Sequence, residues 1–166
     1  LGNGCVEEAV ETLRRRQVPG PRDALAAAAL YALCRGKAVI RLSDLVRKTG
    51  IERRKFHQAY RALLEAGVRP AAPNMRLLIH ELTFKLAVSD EEKLAVYQDA
   101  LRIYEELRKC GRTTPPVRAA LAVYAAAYRH GYAPDRAALA RASRVSAATL
   151  SERLREGKRL CPDLFG

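Results

Sequence analysis

The chain has 166 residues, of which 49% are hydrophobic and 29% are charged, and its formal net charge at neutral pH is +12. This length and composition are typical of one globular domain or of two small ones. The positive charge favours a polyanionic partner, nucleic acid before a membrane surface, and the alternative is a surface that is merely basic. The sequence contains neither a signal-peptide pattern nor an apolar run of about 20 residues, the length that crosses a bilayer.

The four cysteines, Cys5, Cys34, Cys110 and Cys161, lie far apart in the sequence and form no C-x-x-C pair. This spacing excludes a zinc ribbon within the chain, because such a ribbon needs closely spaced pairs of thiolate ligands. Disulfides are rare in intracellular proteins, so the sequence predicts reduced thiols in an intracellular protein.

The first half of the chain is predicted to form four helices, which are Val6–Gln17, Arg22–Arg35, Leu42–Gly50 and Glu52–Ala66. The second of them is rich in alanine, the best helix former, and contains no β-branched residue. A helix that is apolar on every face has to be surrounded by others, so this one is predicted to be the buried centre of a bundle. Gly50 favours a helix stop, and the Thr-Gly-Ile turn around it joins the last two helices into a helix-turn-helix.

The second half is predicted to form five helices, which are Asn74–Val88, Asp90–Cys110, Pro115–Arg129, Asp135–Ser143 and Ala147–Arg159. Ser89 and Glu92 have the spacing of a capping box at the start of the second of these helices. The third repeats the alanine-rich character of Arg22–Arg35. No useful stretch alternates polar and apolar residues with period two, so the predicted class is all-α.

An internal repeat relates the two halves. Leu45 matches Leu139 and Ile51 matches Val145, both at an offset of 94 residues. We therefore predict a first repeat over residues 1–68, which lacks its opening helix, a linker over 69–73, and a second repeat over 74–166 that ends in a helix-turn-helix.

Three groups of residues carry a resemblance to a known family. They are L-Y-A-x-C-R (Leu30, Tyr31, Ala32, Cys34, Arg35), R-K-F-x-x-x-Y-R (Arg54, Lys55, Phe56, Tyr60, Arg61) and V-S-x-x-T-L (Val145, Ser146, Thr149, Leu150). In this order and spacing they resemble the cyclin-like repeats of transcription factor IIB and its archaeal counterpart. The resemblance extends from Val6 to Leu160.

The resemblance implies two tandem five-helix cyclin-like domains that clamp the TATA-binding protein on bent promoter DNA. The resemblance also implies that the protein is a monomer without a cofactor. Contact with RNA polymerase is expected to use a segment that this sequence does not contain. A divergent eukaryotic, trypanosomatid-like member is preferred, with a nuclear location; an archaeal member would lie in the nucleoid or cytoplasm. The sequence departs from the family pattern at His57 and Gln58, where Gly-Arg is common, and at Arg144, where the turn has glycine.

The positive charge is concentrated near the end of the chain. Arg108–Arg159 has twelve basic residues against three acidic ones, whereas Leu77–Leu107 has three against seven. A basic block that contains a helix-turn-helix suits phosphate binding. The candidate DNA-binding residues are Arg112, Thr113, Arg118, Arg144, Ser146, Ala147, Thr149 and Arg153. For each of them, the alternative is a solvated basic helix face.

Arg53, Arg54 and Lys55 open the last helix of the first repeat. Cations at a helix N-terminus oppose the helix dipole, so local helix energetics do not explain them. They are candidates for binding an acidic protein surface, which the resemblance identifies as the TATA-binding protein. Ordinary solvated charge is the alternative.

No enzyme is predicted. The sequence has no Gly-rich phosphate loop, no G-x-S-x-G and no H-E-x-x-H motif, and its three histidines lie at no metal-binding spacing from any cysteine. Two other functions remain open: a cyclin-type protein-binding regulator without nucleic acid, and a basic helical scaffold.

Overall fold

The computed structural model describes residues 3–166. Over this range the chain forms nine α-helices and no strand, which confirms the predicted all-α class. It divides into two compact units, Leu1–Asn74 and Met75–Gly166. The helices of the first unit are α1 (Asn3–Arg16), α2 (Arg22–Cys34), α3 (Leu42–Thr49) and α4 (Arg53–Glu65). Those of the second are α5 (Met75–Phe84), α6 (Asp90–Glu106), α7 (Pro115–Arg129), α8 (Arg136–Ser143) and α9 (Ala147–Leu160).

In the first unit, α2 packs chiefly against α1 and α4. Its alanines allow close approach on the packed side, where Ala24, Ala28 and Ala32 are fully buried. Ala26, however, is exposed. The prediction that α2 is the buried centre of its bundle therefore holds for the side packed against α1 and α4, whereas Ala26 shows that the helix is not surrounded on every face.

Phe56 anchors the helix-turn-helix of α3 and α4 to this core. Its side chain is 1% exposed, and its ring centroid lies 5.6 Å from that of Tyr31 in an edge contact. Gly50 ends α3 in the left-handed conformation, and its N–H bonds to the carbonyl oxygen of Val46 at 3.0 Å. The predicted glycine stop is thus confirmed.

The second unit is built around α7, which packs against α5, α6, α8 and α9. All of the alanines of α7 are buried, so it is the buried central helix that its composition predicts. The capping box at the start of α6 is also confirmed: the Ser89 Oγ accepts from the Glu92 N–H at 3.3 Å, and the Glu92 carboxylate accepts from the Ser89 N–H at 3.0 Å.

The two helix-turn-helix elements have the same register. Helices α3 and α8 begin at residues 42 and 136, and α4 and α9 begin at residues 53 and 147. Both pairs of starts differ by 94 residues, the offset at which the sequence repeats. The second unit also contains α5, which precedes α6, whereas α1 is the first described helix of the first unit.

The cysteines form two disulfides, so the prediction of reduced thiols is wrong. Cys5 pairs with Cys34 at a Cα separation of 5.7 Å, and Cys110 pairs with Cys161 at 5.9 Å. Both separations lie in the ordinary range for a disulfide. Each bond closes within one unit, and the partners stand 29 and 51 residues apart in sequence, so only the folded chain brings them together.

Candidate nucleic-acid interface

The helix-turn-helix of α8 and α9 is held to the second unit by buried side chains, and its turn is exposed. Leu139 and Ala140 of α8 and Leu150 of α9 lie in the core. Between the helices, Arg144 is exposed and adopts a left-handed backbone with φ 59°. The Val145 N–H bonds back to the carbonyl oxygen of Ala140 at 3.0 Å, which fixes the turn.

Three predicted DNA-binding residues lie at the start of α9, and two of them form its cap. The Ser146 Oγ accepts from the Thr149 N–H at 3.0 Å, and the two hydroxyl oxygens are 2.7 Å apart. Both hydroxyls thus stabilise the helix start. The Ser146 hydroxyl is therefore engaged as both donor and acceptor, whereas the Thr149 hydroxyl, which accepts from it, keeps its own proton for another partner. Ala147 is exposed.

Arg153, a further predicted DNA-binding residue, is half-buried and already paired. Its Nη1 lies 2.5 Å from the Glu156 Oε2, and this contact raises the pKa of Arg153 further above its usual value. Glu156 neutralises much of the charge that a phosphate would meet. Arg153 is therefore a weaker candidate than the sequence indicates.

The loop between α6 and α7 brings Thr113 and Arg118 together. The Arg118 Nε donates to the Thr113 Oγ1 at 3.2 Å, and its Nη2 donates to the Thr113 carbonyl oxygen at 3.0 Å. The same guanidinium lies over the ring of Tyr104, 5.5 Å from its centroid. Arg118 therefore holds the loop in place, and its capacity to bind a phosphate is largely occupied.

Arg112 is the exposed cation of this loop, and no hydrogen bond or ion pair to it is found within residues 3–166. The start of α7 offers an anion few hydrogen-bond donors. Pro115 and Pro116 have no N–H, so this helix terminus attracts an anion through its dipole more than through hydrogen bonds.

The predicted DNA-binding residues fall into two groups at different points along α9. A Cβ on Gly111, beside Arg112, would lie 3.3 Å from the Leu160 Cδ1, so this loop abuts the last turn of α9. Ser146 and Ala147 lie at the first turn. Fourteen helical residues extend about 21 Å. The Arg112 loop and the Arg144 turn therefore lie at opposite ends of α9, although both belong to one basic block of the sequence.

The predicted protein-binding residues begin α4 in the first unit. Arg53 and Arg54 are exposed, and Lys55 lies 3.9 Å from the Glu52 carboxylate across one helical turn. Such an exposed pair contributes little to stability. These three cations are thus accessible to a partner.

Two further exposed cations, Lys109 and Arg159, lie just before Cys110 and Cys161 and are not among the predicted residues. The disulfide brings their segments together, and no local pattern indicates that. Across residues 3–166, no three metal-binding side chains cluster, and no helix has the length and apolar character needed to span a membrane.

No protein-family model matches the chain. The transcription initiation factor IIB of Pyrobaculum islandicum is 35% identical to it over 162 residues, covering 92% of this chain and 47% of that protein. The proteins of the same name from Pyrobaculum neutrophilum and Pyrobaculum aerophilum have the same identity and coverage.

These three relatives come from Pyrobaculum species and lend no support to the preference for a trypanosomatid-like member. The chain spans about half the length of the curated relatives it matches. Over nearly its own whole length, it is homologous to transcription initiation factor IIB.

Proposed function

We propose that this chain acts in transcription initiation as a non-catalytic bridge between the TATA-binding protein and double-stranded promoter DNA. The resulting complex recruits RNA polymerase. The observation that carries the proposal is the similarity to proteins named transcription initiation factor IIB over 92% of the chain. The net charge of +12 supports it, because phosphate contacts supply most of the affinity of DNA-binding proteins.

The second unit supplies the DNA contacts in this proposal. The first turn of α9 enters a major groove, where the Ala147 methyl approaches base edges and Arg144 contacts the adjacent backbone. Ser146 and Thr149 keep that helix start rigid through their cap. Arg112 contacts phosphates from the loop before α7, which Arg118 and Thr113 hold in shape.

The first unit supplies the protein contact. Arg53, Arg54 and Lys55 present three accessible cations at the start of α4, and an acidic surface of the TATA-binding protein is their complement. Complementary charge of this kind raises association rates and fixes orientation more than it raises affinity.

A charge-reversal variant tests the protein contact. Arg53→Glu combined with Arg54→Glu should slow association with the TATA-binding protein by roughly tenfold or more. The affinity of the second unit for DNA should remain largely unchanged. The control is Arg14→Glu combined with Arg15→Glu, which reverses two exposed cations of α1. Equal losses in both variants would show that net charge, not the α4 surface, determines capture.

A cyclin-type protein-binding module is the second candidate. A groove of about 420 Å³ in the second unit favours it, lined by apolar side chains that include Leu82, Leu86, Tyr132, Pro134 and Leu139. Such a groove could receive an apolar segment of a partner. If the chain binds neither DNA nor the TATA-binding protein, this second function replaces the first.

A further inference from the structure

The Cys110–Cys161 disulfide joins two segments that are distant in sequence. Cys110 follows the 3₁₀ turn Leu107–Lys109 after α6, and Cys161 follows the last residue of α9. The backbone beside the bond is closely packed as well. Gly111 has a φ of 103°, and a Cβ at this position would lie 3.5 Å from the Glu156 Oε1 of α9.

Both joined segments are basic. We call the five exposed cations beside the disulfide the junction patch: Arg108, Lys109, Arg112, Lys158 and Arg159. Two of them already have local contacts. Arg108 lies 3.3 Å from the Glu105 carboxylate, and Lys158 lies over the rings of Tyr124 and Tyr128.

Local electrostatics compensate only part of this charge. Two helix C-termini end at the junction, and each is equivalent to about half a negative charge, so together they offset about one cation. Glu105 offsets another, and Glu156 is paired with Arg153. Asp163, an exposed acid two residues after Cys161, offsets a third, so about two positive charges remain, and Lys109, Arg112 and Arg159 have no ion pair within residues 3–166. The disulfide therefore holds mutually repelling segments together.

We propose that the junction patch is a second DNA-backbone site, about 21 Å along α9 from the turn at Arg144, and that the Cys110–Cys161 disulfide assembles it. This inference rests on the proposed function of the second unit in binding DNA. Its ligand is the phosphodiester backbone, because the patch lies at the C-terminal end of α9, whereas a recognition helix contacts base edges with its N-terminal residues.

The salt dependence of DNA binding tests the patch. Each phosphate neutralised adds about 0.9 to the slope of log affinity against log salt. Lys109→Gln combined with Arg159→Gln should lower that slope by about 1.8. Between 0.05 and 0.2 M salt, the wild type should therefore lose about twelvefold more affinity than this variant.

The control changes the net charge equally elsewhere. Arg15→Gln combined with Lys37→Gln removes two exposed cations of the first unit, which are paired with Glu11 and Glu8. The slope should not change. An unchanged slope in the Lys109 and Arg159 variant, in a chain that does bind DNA, overturns the patch and leaves the proposed function standing. A chain that binds no DNA at any salt concentration overturns both.

Reduction tests the role of the disulfide. A small dithiol converts the Cys110–Cys161 bond to two thiols and is itself oxidised to a cyclic disulfide. Cys161 is partly exposed, whereas Cys5 and Cys34 are 3% and 0% exposed, so the second unit should be reduced first. The slope should then fall, because the segments can separate; a slope retained by the reduced chain would overturn this role. If circular dichroism shows that the reduced chain is unfolded, the salt slopes of the charge variants in the oxidised protein are the test of the patch.

Discussion

Gly50 and Arg144 hold the same place in the two helix-turn-helix elements, 94 residues apart, and both have a left-handed backbone. Their φ angles are 68° and 59°, and each ends the first helix of its element. A Cβ makes this conformation unfavourable by about 1–2 kcal/mol, whereas glycine adopts it freely. The two elements therefore have the same turn conformation. The first forms it with glycine, and the second forms it with an arginine beside the start of α9.

Replacing this cation should stabilise the fold and weaken DNA binding. Arg144→Gly should raise the free energy of unfolding by about 1 kcal/mol, because it removes the left-handed Cβ. Gly50→Ala is the converse variant and should lower it by a similar amount. Denaturant titration measures both. A destabilised Arg144→Gly variant would show that contacts of the arginine side chain outweigh the backbone cost.

Gly157 lies in α9, where alanine would ordinarily be the better residue by about 0.5–1 kcal/mol. Here a Cβ would lie 2.9 Å from the Phe165 Cζ and 3.0 Å from its Cε2, and Phe165 is buried. Gly157→Ala should therefore destabilise the protein by about 1–3 kcal/mol. In a double-mutant cycle, Phe165→Leu should cost less in the Gly157→Ala background than in the wild type, and fully additive losses would contradict a steric cause.

Substitution of Arg118 tests whether this side chain stabilises the loop before α7 or is available to bind phosphate. Arg118→Lys preserves the charge but loses the paired bonds to Thr113, so unfolding should become easier by about 1–2 kcal/mol. Arg112→Lys is the matched control, and its stability should not change. If thermal unfolding shows Arg118→Lys to be as stable as the wild type, the loop does not depend on these bonds.

Glu92 should make stability depend on acid pH. Its pKa lies below the ordinary value of 4.5, because the carboxylate accepts hydrogen bonds first from the Tyr132 hydroxyl and then from Ser89. A depressed pKa stabilises the folded state above pH 4.5, and this contribution is lost as pH falls through the folded pKa. The wild type should thus be more stable than Glu92→Gln at neutral pH, and the difference should disappear once the pH has fallen through the lowered folded pKa of Glu92. A difference that persists in acid would contradict this assignment.

The helices could be predicted from the sequence because local signals agree with the fold. Alanine content, the Ser89 capping box and the Gly50 stop each act within a few residues. The exposed side of α2 could not be predicted, because alanine is suited to both packed and exposed helix faces. Whether a face is buried depends on how many helices pack around it.

The candidate site could be predicted less completely. The pairing of Arg153 with Glu156 is visible in the sequence as an i, i+3 pair, and so is the capping role of Ser146. The bonds between Arg118 and Thr113 depend on the path of the loop, which no local pattern specifies. The disulfides could not be predicted from the cysteine spacing, because pairing depends on which helix ends meet in the folded chain.

The most direct measurement of the central proposal is a gel shift on a TATA-box duplex with the TATA-binding protein, with and without this chain, at two salt concentrations. We predict a slower band that needs both proteins and weakens as salt rises, because phosphate contacts contribute to its stability. If no such band forms, and the chain alone shows no salt-sensitive binding to the duplex, the chain does not bridge the TATA-binding protein and promoter DNA.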